Sequence, residues 1–447
     1  MYVDSLHLEN VKGFESLRFD FQRPNGSHAG WTVIVGGNSS GKSTILKAIA
    51  LALAGPNVAR QLINPAGWIH SKKNKATVRL KLEWEQNVDT FRETGKNPAK
   101  QFDIGLRWQS EGKSSQIDLK ELAFTNPSTR GRLQRANRGP WNSNTSGWFS
   151  CGYGPMRRLT GSSNEATRHA LAGGKEAAFV TLFFEDAALS ESELWLKELQ
   201  FKALEKNTDA GILVEQIKDF LNDGLLPHQF ALTKITSEHV FVQKQWNGEL
   251  PTSGIELPMR DLSDGCRSVY ALLLDIIRHL ADAYGVDGLF GINDIGRRIV
   301  TRPGVILIDE VESHLHPRWQ QNICEWLKQR FPFIQFIVTT HSPLIVQAAD
   351  ANGIFVLPLP GEDNAPRRLE TEEYQKVVLG RATNVLLGEA FRLDSTRGQW
   401  AQKQIKLWEE LEAKKQAGVL TIPEKQGYRR LERQMELAFT EEAAPSQ

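Results

Sequence analysis

The octapeptide GGNSSGKS, Gly36 to Ser43, constrains this chain more than any other segment, because it sits between a strand-like apolar run (31–35) and an apolar-periodic helical stretch (42–53). A glycine-rich turn that leaves a strand and opens a helix aims several backbone N–H groups, and the positive end of the helix dipole, at one point. That point is a seat for phosphate. The pattern GxxxxGK[ST] adds the Lys42 ammonium, which reaches β and γ oxygens, and the Ser43 hydroxyl, which ligates Mg²⁺. A chance glycine turn would not bring the strand, the lysine and the serine together.

Three further segments gain weight from the first. In VILIDEVESHLHP (305–317) a buried strand delivers adjacent carboxylates at its end. Asp309 suits Mg²⁺, and Glu310 suits orienting and deprotonating a water. The next strand, FIQFIVTT, ends in TTHSP (339–343), where His341 is placed to donate to a γ-phosphate. Upstream, DLSDGCRS (261–268) leads into a long helix, so Ser263 and Gly265 offer a second anion site at a helix N-terminus. Alone, that segment reads equally well as an ordinary helix start with Ser263 as the cap.

In this order the four segments resemble the ATPase head of the ABC superfamily: Walker A at 36–43, a signature at 262–266, Walker B at 305–310 and an H-loop at His341. The resemblance implies an α/β fold, an ABC-type P-loop ATPase head with a mostly parallel core sheet and an antiparallel β layer. It also implies ATP and Mg²⁺ as ligands, held by Gly36, Asn38, Ser39, Ser40, Gly41, Lys42, Ser43 and Thr44, with metal on Ser43 and Asp309. Glu310, Lys42 and His341 are then the catalytic set. Ser263 and Gly265 act in trans, closing a homodimer or higher homo-oligomer around ATP. Asp264 and Cys266 depart from the usual LSGGQ signature.

The opening HLENVKGFESLRFDF resembles the RecF, SMC and OLD-type branch, in which a basic residue at the position of Lys12 approaches the triphosphate. The segments 304–343 and CGYGPMRR (151–158) are similar to stand-alone ATPases of bacterial antiphage defence, with the ATPase subunit of Septu systems matching in size and layout. This implies control of a separate HNH-type nuclease or of DNA. A nucleotide-gated scaffold restraining a toxin, and a RecF-like repair ATPase, remain as alternatives. Residues 44–261 lack sustained heptads, so no long coiled-coil arm is expected. No DxD follows His341, so no built-in TOPRIM nuclease is expected.

The remaining organisation follows from periodicity. Strands are expected at 2–9 and 17–21, and antiparallel strands within 77–120. Helices are expected across a 186–226 insertion, over 263–284 and after Pro317. The head spans 1–390, with lobes at 1–185 and 227–390, and residues 391–447 form a charged helical tail for oligomer or partner contact.

Lysine plus arginine number 54 against 53 acids, so the net charge of +1 supplies no global field for a polyanion. The 3 cysteines lack metal or disulfide spacing. With no run of about 18 apolar residues, a cytoplasmic chain without membrane contact is expected. Arg130, Arg132, Arg135 and Arg138 beside Trp141 and Trp148 form a basic, aromatic loop that suits single strands or plain solvation. Arg157 and Arg158 suit phosphate or the acidic strand end, and His314 with His316 make a poor zinc site.

Overall fold

The computed structural model describes residues 1–92, 97–110, 117–122, 136–157, 163–224, 230–245, 254–359, 361–362 and 364–439. Arg130, Arg132, Arg135 and Arg158 lie outside them. The chain divides into two units, Met1–Val385 and Leu386–Gln447.

Two large sheets build the first unit. An antiparallel sheet runs in the order β2-β1-β4-β5-β6, from β1 (Tyr2–Val11), β2 (Phe14–Asp20), β4 (Lys75–Glu83), β5 (Gln101–Ser110) and β6 (Ile117–Glu121). The second sheet joins β3 (Gly30–Val35), β7 (Ser150–Tyr153), β13 (Gly304–Ile308), β14 (Ile334–Thr339) and β15 (Ile354–Val356) in parallel, ordered β15-β3-β14-β13-β7. The short antiparallel β16 (Arg367–Arg368) closes the β15 edge. Smaller pieces are the sheet of β8 (Phe230–Ile235), β9 (Val240–Lys244) and β10 (Glu256–Pro258), and the hairpin of β11 (Phe290–Ile292) and β12 (Arg298–Val300).

Between the large sheets lies helix α1 (Lys42–Ala54), which contacts β4 and β5 on one side and β7, β13 and β14 on the other. Its sequence, KSTILKAIALALA, has apolar residues all round rather than along one stripe, as a helix covered on every side requires. Ile45, Leu46, Ile49, Leu51 and Leu53 are fully buried. Gln335 ties the sheets together: on β14 its side-chain amide accepts from the Val3 N–H and donates to the Val3 carbonyl, both at 2.8 Å. A buried amide thus acts as an extra rung of the β1 ladder.

The other helices of this unit are α2 (Pro56–Leu62), α3 (Asn164–Leu171), α4 (Gly174–Phe183), α5 (Ser190–Leu204), α6 (Thr208–Asn222), α7 (Asp264–Tyr284), α8 (Pro317–Arg330), α9 (Pro343–Val346) and α10 (Thr371–Val378). Helix α11 (Ala382–Leu387) carries the chain into the second unit. Helices α3 and α4 precede the stretch 186–226, and the second unit holds two further helices. There α12 (Gln399–Gln416) and α13 (Ile422–Phe439) form the expected hairpin, closed on Leu411, Tyr428 and Leu431. Among the described residues no helix is long and apolar enough to cross a membrane.

Candidate functional site

Four loops leave the carboxyl ends of β3, β7, β13 and β14, the edge where open parallel sheets bind ligands. After β3, Ser39 (φ 63°) and Gly41 (φ 96°) take left-handed backbone to wrap the turn. A Cβ on Gly41 would lie 2.5 Å from the Phe14 ring, so only glycine fits there. Helix α1 starts at Lys42 with no side-chain cap and no acid in its first turn, which leaves its first N–H groups free for an anion. The buried Ser40 hydroxyl has no hydrogen-bond partner among the described residues. Asn38 and Ser39 are exposed, whereas Ser43 and Thr44 are half-buried.

The Lys42 ammonium is buried and donates to the carbonyls of Gly36 (2.9 Å) and Gly37 (3.0 Å). Burial lowers its pKa, while Asp309, Glu310 and Glu312 pull it back up. The two sequence-predicted strand ends therefore share one electrostatic neighbourhood, as phosphate and metal chemistry needs.

On the acidic side, the buried Asp309 N–H donates to the Tyr153 carbonyl (2.8 Å), and its Oδ1 accepts from the Thr339 hydroxyl (2.5 Å). The same Thr339 oxygen accepts from the Glu310 N–H at 2.8 Å. Glu310 itself has φ 45°, a strained backbone for a non-glycine residue, and its Oε2 accepts from Ser313 at 3.3 Å. His341 is exposed, and its backbone N–H donates to Glu312.

Glu312 did not stand out in the sequence. Its carboxylate also accepts from the Thr340 hydroxyl at 2.7 Å, so it clamps the loop that carries His341. The only hint was a third acid two residues beyond the Asp309–Glu310 pair. Arg157 belongs here as well: buried at 4 % exposure, it donates to the carbonyls of Gly154, Asp309, Glu310, Val311 and Ser313 at 3.0–3.3 Å. Burial pushes its pKa down to about 10 despite Glu312, Asp309 and Glu310.

The other candidates sit as follows. Lys12 is at the β1–β2 turn with φ 48°, its ammonium 4.6 Å from the centre of the Trp68 ring, and desolvation followed by Lys47 lowers its pKa. Ser263 holds the N-cap position of α7, yet its hydroxyl donates to the Cys266 sulfur (3.2 Å) instead of capping the helix. A Cβ on Gly265 would stand 2.6 Å from the His314 carbonyl, so the helix start and the turn after β13 are in direct contact within one chain. Asp264 pairs with Arg267. The His316 ring accepts from the Arg318 N–H (3.2 Å) as a helix cap, and no group of three metal-capable side chains occurs among the described residues. Trp148 is buried, and the Trp141 indole donates to the Ala52 carbonyl (2.8 Å), so both rings serve packing rather than an open stacking surface.

Comparison with known proteins finds several relatives. The chain is 23% identical to Septu protein PtuA of Bacillus mycoides over 365 residues, which is 80% of this chain but 40% of that relative. It is 27% identical to the Retron Ec83 probable ATPase of Escherichia coli over 428 residues, covering 82% and 73% of the two chains. A solved SMC head bound to the C-terminal winged-helix domain of ScpA superposes with a TM-score of 0.47 at 17% identity, over 83% of this chain and 99% of that one. The family described as "AAA domain, putative AbiEii toxin, Type IV TA system" matches residues 31–347, from the start of β3 to just past α9, and the chain belongs to it.

Proposed function

We propose that the chain binds ATP with Mg²⁺ on the loop 36–43, hydrolyses it to ADP and phosphate, and closes as a dimer around the nucleotide. The observation that carries this reading is the pairing of a buried, carbonyl-tethered Lys42 with Asp309 and Glu310, both fixed by one Thr339 hydroxyl. Lys42 exchanges its two loop carbonyls for β and γ oxygens. Ser43 and Asp309 would hold Mg²⁺, which neutralises charge building on the phosphates. Glu310 takes a proton as water attacks the γ-phosphorus and the bond to the bridging oxygen breaks, and His341 donates to the γ-phosphate. Gly36, Asn38, Ser39, Ser40, Gly41 and Thr44 line the phosphate cradle, and Lys12 approaches it from the β1–β2 turn.

Ser263 and Gly265 of a second copy complete the site, so ATP favours the closed dimer and hydrolysis reopens it. Similarity to Septu protein PtuA and to a retron's probable ATPase supports a role in antiphage defence. There the cycle controls a separate effector, for which we assign an HNH-type nuclease, or DNA. Purified protein should hydrolyse ATP, lose turnover with Lys42→Ala, and form a trapped ATP–Mg²⁺ dimer on size exclusion with Glu310→Gln. A Glu310→Gln protein that stays monomeric at saturating ATP overturns the dimer, and turnover that survives Lys42→Ala overturns the site.

A further inference from the structure

Helix α13 of the tail has two faces of opposite chemistry. Tyr428, Leu431 and Met435 are buried, and their i, i+3, i+7 spacing marks one apolar stripe. Lys425, Arg429, Arg430 and Arg433 are all exposed and fall at i, i+4, i+5 and i+8, which sets them on the side of the helix away from that stripe. Over about 12 Å of helix this side presents a row of cations, most of them guanidinium groups. One acid, Glu436, stands at its end.

The nearest acids point the other way. Glu424 pairs with Lys414 of α12 at 2.5 Å, while Glu432 accepts from the Tyr428 hydroxyl at 2.8 Å and pairs with Lys415 at 3.4 Å. Glu412 of α12 likewise accepts from Tyr428 and faces Lys415. These contacts hold the carboxylates between the two helices, away from the outer cations. Lys425, Arg429, Arg430 and Arg433 make no ion pair or side-chain hydrogen bond among the described residues. An exposed helix usually sets opposite charges at i, i+4; here Arg429 has Lys425 on one side and Arg433 on the other, like charges that weaken an isolated helix. An anionic partner would reverse that repulsion. With a net charge of +1 over the whole chain, the field is local to this face.

Guanidinium groups without acidic neighbours fit phosphate oxygens, which take paired N–H donors from arginine. The described side chains of this face include no aromatic ring on which an unpaired base could stack. The fit is therefore to the outside of a duplex, where phosphates form a continuous row and carry no sequence information.

We propose that the exposed face of α13 docks duplex DNA through its phosphate backbone, with Arg429, Arg430 and Arg433 as the main contacts and Lys425 beside them. This names a surface for the DNA side of the function proposed above. It does not depend on hydrolysis at Lys42, so it is tested with no nucleotide present, and its failure leaves the ATPase reading standing.

Full-length protein is titrated by fluorescence anisotropy against a labelled DNA duplex, one of its single strands and an RNA duplex, over a range of salt concentrations. DNA duplexes of unrelated sequence should bind equally, with log affinity falling linearly with log salt. Arg429→Gln, Arg430→Gln and Arg433→Gln combined keep the helix propensity. They should weaken duplex binding at least about tenfold at low salt and cut the salt slope by about 2–3, as the lost phosphate contacts require. Lysine at the same positions should restore the slope, which separates charge from any effect on the fold. No duplex binding at about 50 mM salt, or a slope unchanged in the glutamine variant, overturns the site. Tighter binding to the single strand or to the RNA duplex overturns duplex DNA as the occupant. Polyglutamate that displaces the labelled duplex as well as unlabelled duplex does would assign the face to an acidic protein and overturn phosphate recognition.

Discussion

Replacing Arg157 with methionine tests whether the acidic strand end is held by its backbone rather than by its side chains. Methionine keeps most of the aliphatic stem, so little packing is lost. Five carbonyls, those of Gly154, Asp309, Glu310, Val311 and Ser313, lose their only charged donor. Removing one partner from a buried charged network costs about 3–5 kcal/mol, because the groups left behind stay desolvated. The unit that contains Arg157 runs from Met1 to Val385. At roughly 2.1 cal/mol/K of unfolding entropy per residue its melting entropy is about 0.8 kcal/mol/K, so the midpoint should fall by about 4–6 °C. Circular dichroism melts of the full chain give this directly. Arg157→Lys, with fewer donors in a less rigid array, should recover part of the loss. ATP turnover at about 20 °C, far below either midpoint, should fall further than stability does, since Glu310 sits on the freed turn. A shift under about 1 °C in the methionine variant would refute this anchoring, because five carbonyls stripped of a buried charged donor cannot be that cheap, even though the Glu310 carbonyl keeps the Ser313 N–H.

Glu312→Gln replaces a carboxylate that accepts from both Thr340 and the His341 N–H with an amide that has a single acceptor oxygen. Turnover should drop about tenfold with ATP affinity nearly unchanged, and a matching loss of affinity would refute a positioning role. Gly265→Ala places a Cβ 2.6 Å from the His314 carbonyl, so the turn after β13 must move. The melting midpoint should fall by an amount equivalent to about 1–3 kcal/mol, and unchanged melting would show that the contact yields freely. Lys175 has a folded pKa of about 7, below its unfolded value, so the unfolded chain holds its proton up to higher pH. Stability therefore rises with pH above about 7 from this group, and comparing melts at pH 7 and pH 9, Lys175→Met should gain less than the native chain.

Much of the site is written locally. The loop 36–43, the buried run of β13 and the apolar all-round α1 each follow from residue type and period, and they occur where those patterns place them. What local pattern does not encode is strand order. β14 lies between β3 and β13 although it is the last of the three in the chain, and crossover lengths are compatible with other arrangements. Glu312 was hidden for the same reason: its partners, Thr340 and His341, lie on the neighbouring strand end, and until that strand is placed a third acid in DEVES reads as a solvated turn residue. Arg157 was visible as a basic residue at a strand end, but its partners are carbonyls, which carry no sequence signature. Helices α3 and α4 escaped notice because Gly173 and Gly174 break one apolar period into two short ones.

The same strand order explains why a threonine ends β14. The Glu310 N–H can only donate, so the Thr339 oxygen must accept from it, and the single hydroxyl proton is left for Asp309 Oδ1. That direction requires Asp309 to act as an acceptor, and it engages one carboxylate oxygen while leaving the other for a cation. One hydroxyl on the middle strand thus fixes the backbone of the proposed base and the orientation of the proposed metal ligand together. The coupling exists because β14 lies beside β13, and the loop 36–43 and the acidic strand end accordingly leave strands two spacings apart, roughly 10 Å in a regular sheet.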